Sequence, residues 1–153
     1  MEFSITIPGL EELIATLTSI GGNASKLINL ALKASLLHVQ QEARVRAPHR
    51  TGTLQRSILP DFHNLFGTVK VNEKYGLWLE EGTDAFDIVP RNKQALMWPG
   101  AAHPVKRVHH PGLKARPFFQ PAIEASYPFM NEQFMLVFAT IERAIQTRSQ
   151  VNG

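Results

Sequence analysis

Residues 65–79 read Leu65-Phe66-Gly67-Thr68-Val69-Lys70-Val71-Asn72-Glu73-Lys74-Tyr75-Gly76-Leu77-Trp78-Leu79. Thr68 and Lys70 alternate with Val69 and Val71, the period of a strand that buries one face. Asn72-Glu73-Lys74 has the composition of a turn, so Tyr75–Leu79 reads as the return strand of a hairpin. Gly82 marks the turn that follows. An antiparallel pair set among helical segments decides for an α+β fold.

Working back from the hairpin, Thr53 reads as the cap of a short turn carrying Leu54 and Ile58, which Pro60 closes. His49-Arg50-Thr51-Gly52 is a loop. Before it lies a long helix, capped by Asn23 and running to about Arg46, where Ala47-Pro48 disfavours continuation. Its apolar set (Leu27, Ile28, Ala31, Leu32, Ala34, Leu36, Val39, Ala43) is broad enough to pack on more than one neighbour. Arg44 and Arg46 suit its C-terminal dipole. An earlier helix carries Leu10, Leu13, Ile14, Leu17 and Ile20 on one face, with Glu11 and Glu12 in its first turn, and ends at Gly21-Gly22. Phe3, Ile5 and Ile7 alternate with Ser4 and Thr6 as a first short strand, stopped by Pro8-Gly9.

Working forward, Phe86–Val89 and Ala95–Trp98 read as a strand pair across Pro90-Arg91-Asn92-Lys93. Six of the ten prolines fall between Pro90 and Pro121, which predicts an extended arm over about 88–121 with at most edge strands. Pro121 or Ala122 begins a last helix bearing Ile123, Phe129 or Met130, Phe134, Phe138, Ile141 and Ile145. Pro128 is expected to kink or restart it. The architecture expected is N-terminal helices and a long C-terminal helix packed on a small antiparallel sheet, with a Pro-rich basic arm. Residues 1–147 form the single domain and 148–153 a polar tail.

At 153 residues and 17.1 kDa the chain is one domain by length and can bury roughly 70% of its unfolded surface. With 44% hydrophobic and 19% charged residues the composition is globular. The absence of cysteine excludes disulfides, thiolate nucleophiles, cysteine-ligated zinc and iron–sulfur clusters. The first residues have neither the basic nor the apolar region of a signal peptide, and no apolar run approaches the ~18 residues of a membrane span. The expectation is a soluble protein made in the cytoplasm, without membrane partners.

The net charge of +3 hides a segregation. Glu73, Glu80, Glu81, Asp84 and Asp87 crowd one stretch with only Lys74 to offset them, and no acid occurs from Ile88 to Ile123. That acid-free window holds Arg91, Lys93, Lys106, Arg107, Lys114 and Arg116, with His103, His109 and His110. Three readings follow from it. The two segments neutralise each other as solvated loops. They dock between copies, with Glu80, Glu81, Asp84 and Asp87 on one subunit meeting Arg107, His110, Lys114 and Arg116 on the next. Or Lys106, Arg107, Lys114 and Arg116 line a channel and neutralise phosphate without reading bases.

The catalytic inventory is thin. His103, His109 and His110 lie close in sequence, but there is no His-Glu-x-x-His, the adjacent pair diverges on a strand, and no carboxylate shares the segment. Solvated loop histidines are the simpler reading. Glu80 and Glu81 point apart in a strand and make no acid/base dyad, which leaves only a pairing with Asp84 or Asp87. There is no Gly-x-Ser-x-Gly elbow, Walker loop or dinucleotide fingerprint. Trp78, Trp98, Tyr75, Phe86, Phe118 and Phe119 could stack on single-stranded bases, but their alternation with aliphatics favours core or interface. No cofactor and no enzyme activity are expected.

One ordered pattern spans nearly the whole chain. It begins with Ile5-x-Ile7-x-Gly9-Leu10-Glu11-Glu12-Leu13, a helix ending Glu42-Ala43-x-x-x-Ala47-Pro48, and Arg50-Thr51-Gly52-x-Leu54-x-x-Ser57-Ile58. Tyr75-Gly76-x-x-x-Glu80-x-Gly82-Thr83 follows, then His110-Pro111-Gly112-x-Lys114-Ala115-Arg116-Pro117-Phe118 with Pro121-Ala122. Together these resemble the small neck family of tailed phages of the Hong Kong 97 type. The resemblance implies a non-enzymatic α+β virion component of the head–tail junction, a neck or tail-completion protein. It implies self-association into a ring, a hexamer among the forms allowed, through which duplex DNA passes. The partners implied are the head connector or stopper and the tail terminator or tail tube. The His109-His110 doublet and the Trp98-Pro99-Gly100 loop depart from the pattern. The class set against this reading is a small cytosolic domain that binds nucleic acid without sequence preference; a hydrolase built on His103–His110 stands third.

Overall fold

Ala24, Ile28, Ala31, Leu32, Ser35, Leu36, Val39, Gln40 and Ala43 recur every three or four residues and are all buried, which fixes a two-sided helix, α1, over Ala24–Arg46. The computed structural model describes residues 1–5, 15, 24–91 and 94–151. The helix expected over Leu10–Ile20, its Gly21-Gly22 stop, the Asn23 cap and the Asn92-Lys93 turn lie outside those residues.

One face of α1 covers a three-stranded antiparallel sheet of order β1-β3-β2, made of β1 (Glu2–Ile5), β2 (Ile58–His63) and β3 (Phe66–Val71). Phe3 pairs with Val69 and Ile58 with Val71. Where α1 crosses β3, Leu36 packs onto Gly67. A methyl built on Gly67 would stand 2.2 Å from Leu36 Cδ1, so any side chain there has to displace the fully buried Leu36. Asn29 of α1 closes the β2–β3 turn, its Oδ1 accepting the Leu65 N–H at 2.8 Å and its amide donating to Asn64.

The sheet differs from the hairpin expected. Tyr75–Glu81 is a helix, α3, and not a return strand, so β3 finds its partners in β1 and β2. Tyr75 and Leu79, one helical turn apart, both pack on the core. Gly76 between them lies against Val71, Leu54 and Phe118. Five residues of apolar character do not distinguish the two periods; tertiary packing does. Pro60 likewise closes nothing. It pairs with Val69 inside β2, an edge strand, where a missing N–H on the open side breaks no ladder. The short turn at Leu54 is α2 (Thr53–Ser57), entered from Gly52 at φ 71° without a side-chain cap from Thr53.

The second face of α1 packs on α4 (Phe119–Val151). This helix starts two residues before the expected Pro121 and runs without a break through Pro128 and on past residue 147. Between α1 and α4, His38 stacks on Phe129 at 4.2 Å and its Nδ1 lies 3.1 Å from Ser126 Oγ. The Ser126 hydroxyl donates to Ala122 O at 2.7 Å, so the proton of the His38 contact sits on Nδ1. The main core joins Leu36, Val39, Leu54, Ile58, Val69, Phe118, Ala122 and Met130. A second cluster of Ile28, Ala31, Val137 and Ile141 fills the far end of the α1–α4 contact.

The arm also departs from expectation. β4 (Phe86–Ile88) pairs with β5 (Val108–His110), not with Ala95–Trp98, and Leu96 bridges to Val105 further out. The chain beyond Ile88 therefore folds back as a two-stranded ribbon instead of running extended to Pro121.

Candidate assembly site

The ribbon grows from a junction that two of the quoted motifs build together. Glu80, near the end of α3, turns its carboxylate to the start of α4. Oε2 accepts the N–H groups of Phe118 and Phe119 at 2.8 and 2.9 Å, and Oε1 accepts that of Gln120 at 2.8 Å. The first turn of α4 contains no acid of its own, so Glu80 supplies both the acceptors and the negative charge that a helix N-terminus needs.

Next in sequence, Gly82 at φ 78° and Gly112 at φ 85° let two backbone segments pass at contact. Methyl groups there would lie 2.6 Å from Leu113 O and 2.3 Å from Thr83 O respectively. Thr83 and Leu113 exchange both backbone hydrogen bonds, at 2.8 and 3.0 Å, and Arg116 N–H donates to Leu79 O at 2.6 Å. The residues 111–118 thus form a strap across the C-terminal end of α3, and the ribbon projects from it.

Half of the residues expected to meet between subunits, Glu80, Asp87, Arg107 and His110, find partners within one chain. Glu80 is the helix cap just described. Asp87 pairs with His109 at 3.0 Å and Arg107 at 3.5 Å across the ribbon. His110 stacks on Phe86 at 4.9 Å and its Nδ1 accepts the Gly112 N–H. For Asp87, Arg107 and His109 the neutralising arrangement is therefore realised inside the fold. Glu81, Asp84, Lys106, Lys114 and Arg116 are exposed and make no ion pair among the described residues. Lys93 lies outside those residues.

His103, His109 and His110 do not converge, and no group of three metal-ligating side chains occurs among the described residues. Phe118 and Phe119 are core, as expected. Trp78, Phe86 and Trp98 are not: they are 55%, 49% and 47% exposed. Charge segregation did not reveal this apolar character of the ribbon and its base. Phe86, Val89, Met97, Trp98 and Leu113 all reach solvent, and among the described residues β4 and β5 pack chiefly on each other. The signal was in the runs Phe86-Asp87-Ile88-Val89 and Leu96-Met97-Trp98, which carry too little polar residue for a solvated loop.

Residues 11–82, just under half of the chain, match the sequence model of a family described as "Bacteriophage HK97-gp10, putative tail-component". The match ends at Gly82, so it covers α1, α2, α3, β2 and β3 and leaves out the ribbon and α4. No curated protein and no solved structure gives a significant match. No helix among the described residues is long and apolar enough to cross a membrane.

Proposed function

Starting from a chain whose residues 11–82 carry the HK97-gp10-like pattern of phage tail components, we propose that it is a structural protein of the virion head–tail junction. In this reading copies close into a ring around the DNA channel and join the tail, through its terminator or tube, to the head connector. The ring is built by the ribbon of each subunit seating on the α3 and strap region of the next.

The observation that carries this reading is the apolar ribbon. A two-stranded ribbon alone is marginally stable in water, and this one presents Phe86, Val89, Met97 and Trp98 to solvent. Burying a fully exposed side chain of this kind is worth about 1.5–3 kcal/mol, and these, already half-buried, stand to gain about half of that each. Leu77 and Trp78 on α3 are exposed beside the strap and offer the complementary apolar ground. Glu81 and Asp84 at the base and Lys106, Lys114 and Arg116 on ribbon and strap supply opposite charges that steer a head-to-tail contact, and such a contact closes into a ring when its rotation permits.

Native mass of the full chain, alone and with tail tube protein, tests this. The parent should form one closed oligomer under at least one condition. Glu81→Lys with Asp84→Lys, or Trp98→Ser alone, should leave monomer. Unchanged mass in both variants rejects the ribbon as the ring contact.

A further inference from the structure

The arm is not where arginine is concentrated. From Ala43 to Pro60 there is no acid and no lysine, while Arg44, Arg46, Arg50 and Arg56 stand with His49. Their four charges exceed the net +3 of the whole chain. Two of them are used internally. Arg44 donates to Gln55 O and Ile58 O, each at 3.0 Å, Gln55 donates back to Arg44 O, and Gln40 also reaches Ile58 O. Arg46 pairs with Glu42. The Arg44, Gln40 and Gln55 bonds join the end of α1 to α2 and β2, and the Arg46 pair stays within α1.

What this corner of the fold presents is a turn of exposed residues around Gly52. A methyl built on Gly52 would stand 3.0 Å from Arg56 Nη1 and 3.6 Å from His49 Nε2, so both side chains converge over the turn. Arg56 Nη2 donates to Thr51 O at 3.3 Å, which ties the exposed guanidinium to the turn. Arg50 and Thr51 are exposed beside it. The acids that border the stretch are both engaged, Glu42 by Arg46 and Asp61 by His63 and Lys70.

We propose that this turn, His49, Arg50 and Thr51 with Arg56, is a surface for the phosphates of duplex DNA. The inference rests on the ring reading, which supplies the duplex, and it moves the DNA contact from Lys106, Arg107, Lys114 and Arg116 to the α1–α2 turn. A pre-positioned guanidinium grips phosphate oxygens in a planar fork and loses little side-chain freedom on binding. A second copy of the chain fits less well. Its exposed acids away from the junction, Glu124, Glu132 and Glu142, stand eight and ten residues apart along α4 and form no compact patch to match the turn. A duplex from outside presents its charges at close and regular spacing.

The test is retention of a mixed-sequence duplex by the full chain between about 50 and about 200 mM salt, with native mass read in parallel. Arg50→Gln with Arg56→Gln should lower the log–log salt slope by about two and weaken low-salt binding roughly tenfold or more. Arg50→Lys with Arg56→Lys should keep the slope. Arg50→Gln alone, checked for folding by circular dichroism, should lower it by about one. Lys106→Gln, Lys114→Gln and Arg116→Gln together should lower the native mass, because they sit in the ring contact, yet keep the parent's salt slope per subunit. The proposal is overturned if the arginine variants keep the parent slope, if only the arm variants lose it, or if Arg50→Gln with Arg56→Gln breaks the oligomer while retention stays the same. A parent that stays monomeric yet loses slope at Arg50 and Arg56 would reject the ring and leave the turn as the DNA surface.

Discussion

A single carboxylate shared by three backbone N–H groups concentrates much of this fold's order in one residue. Glu80 satisfies three of the donors that the start of α4 leaves open, and water reaches Phe118 and Phe119 poorly because both are buried. Glu80→Ala should therefore cost about 2–3 kcal/mol of stability, and Glu80→Gln, which keeps one acceptor oxygen, about 1 kcal/mol. Urea denaturation of the two variants checks the order; a loss below about 0.5 kcal/mol in the alanine variant would mean that water replaces the cap. The string Glu80-x-Gly82-Thr83 was legible as a motif, but its purpose was not. What Glu80 holds lies 38 to 40 residues further along the chain, and no local period reports a pairing at that range. Read as a strand residue, Glu80 was assigned to a subunit contact; as the penultimate residue of α3 it faces its own chain. The glycines Gly82 and Gly112 are informative for the same reason, since each marks a backbone approach whose partner only the fold reveals.

At the scale of elements, long periodic segments were readable and short apolar ones were not. The spacing of Ile28, Leu32, Leu36 and Val39 admits only a helix that serves two neighbours, and α1 has that form, between sheet and α4. Tyr75–Leu79 and Ile58–Pro60 are too short for a period to show, and packing makes helix α3 of the first and the start of edge strand β2 of the second, while the short turn at Leu54 stands as α2. The proline count predicted an extended arm, yet Phe86–Ile88 found Val108–His110 because the crossing at Thr83 and Leu113 brings those segments side by side. A ribbon held at one end by that crossing, with exposed side chains on β4 throughout, should open locally more often than the core. Trypsin should then cut the monomer first at Arg91, Lys106 or Arg107, with α1 and α4 intact, and assembled particles should resist at those bonds. Mass mapping of early fragments decides it; a first cut within α1 would contradict the ribbon's lower stability.

For the molecule as a whole, the core and the ribbon are separable in composition. The residues that make the main core come from α1, α2, the sheet, α3 and the start of α4, and none of the described residues between Asp84 and Pro117 is among them. The second cluster lies between α1 and α4. If burial rather than the ribbon stabilises the fold, the ribbon can be removed at its base. Phe86 and His110 are directly paired, so their backbones are close enough for an Asn-Gly turn to replace residues 87–109. The shortened chain keeps the Thr83–Leu113 crossing, both glycines and the Glu80 cap. It should unfold cooperatively at a denaturant midpoint near that of the parent while failing to form the ring. The Arg50 and Arg56 turn sits outside the excised segment, so the shortened monomer should also retain duplex DNA with the parent's salt slope per subunit. Loss of folding would place the ribbon inside the cooperative unit. Loss of DNA retention with folding preserved would return the phosphate contact to the arm, and an intact oligomer would remove the ribbon from the ring.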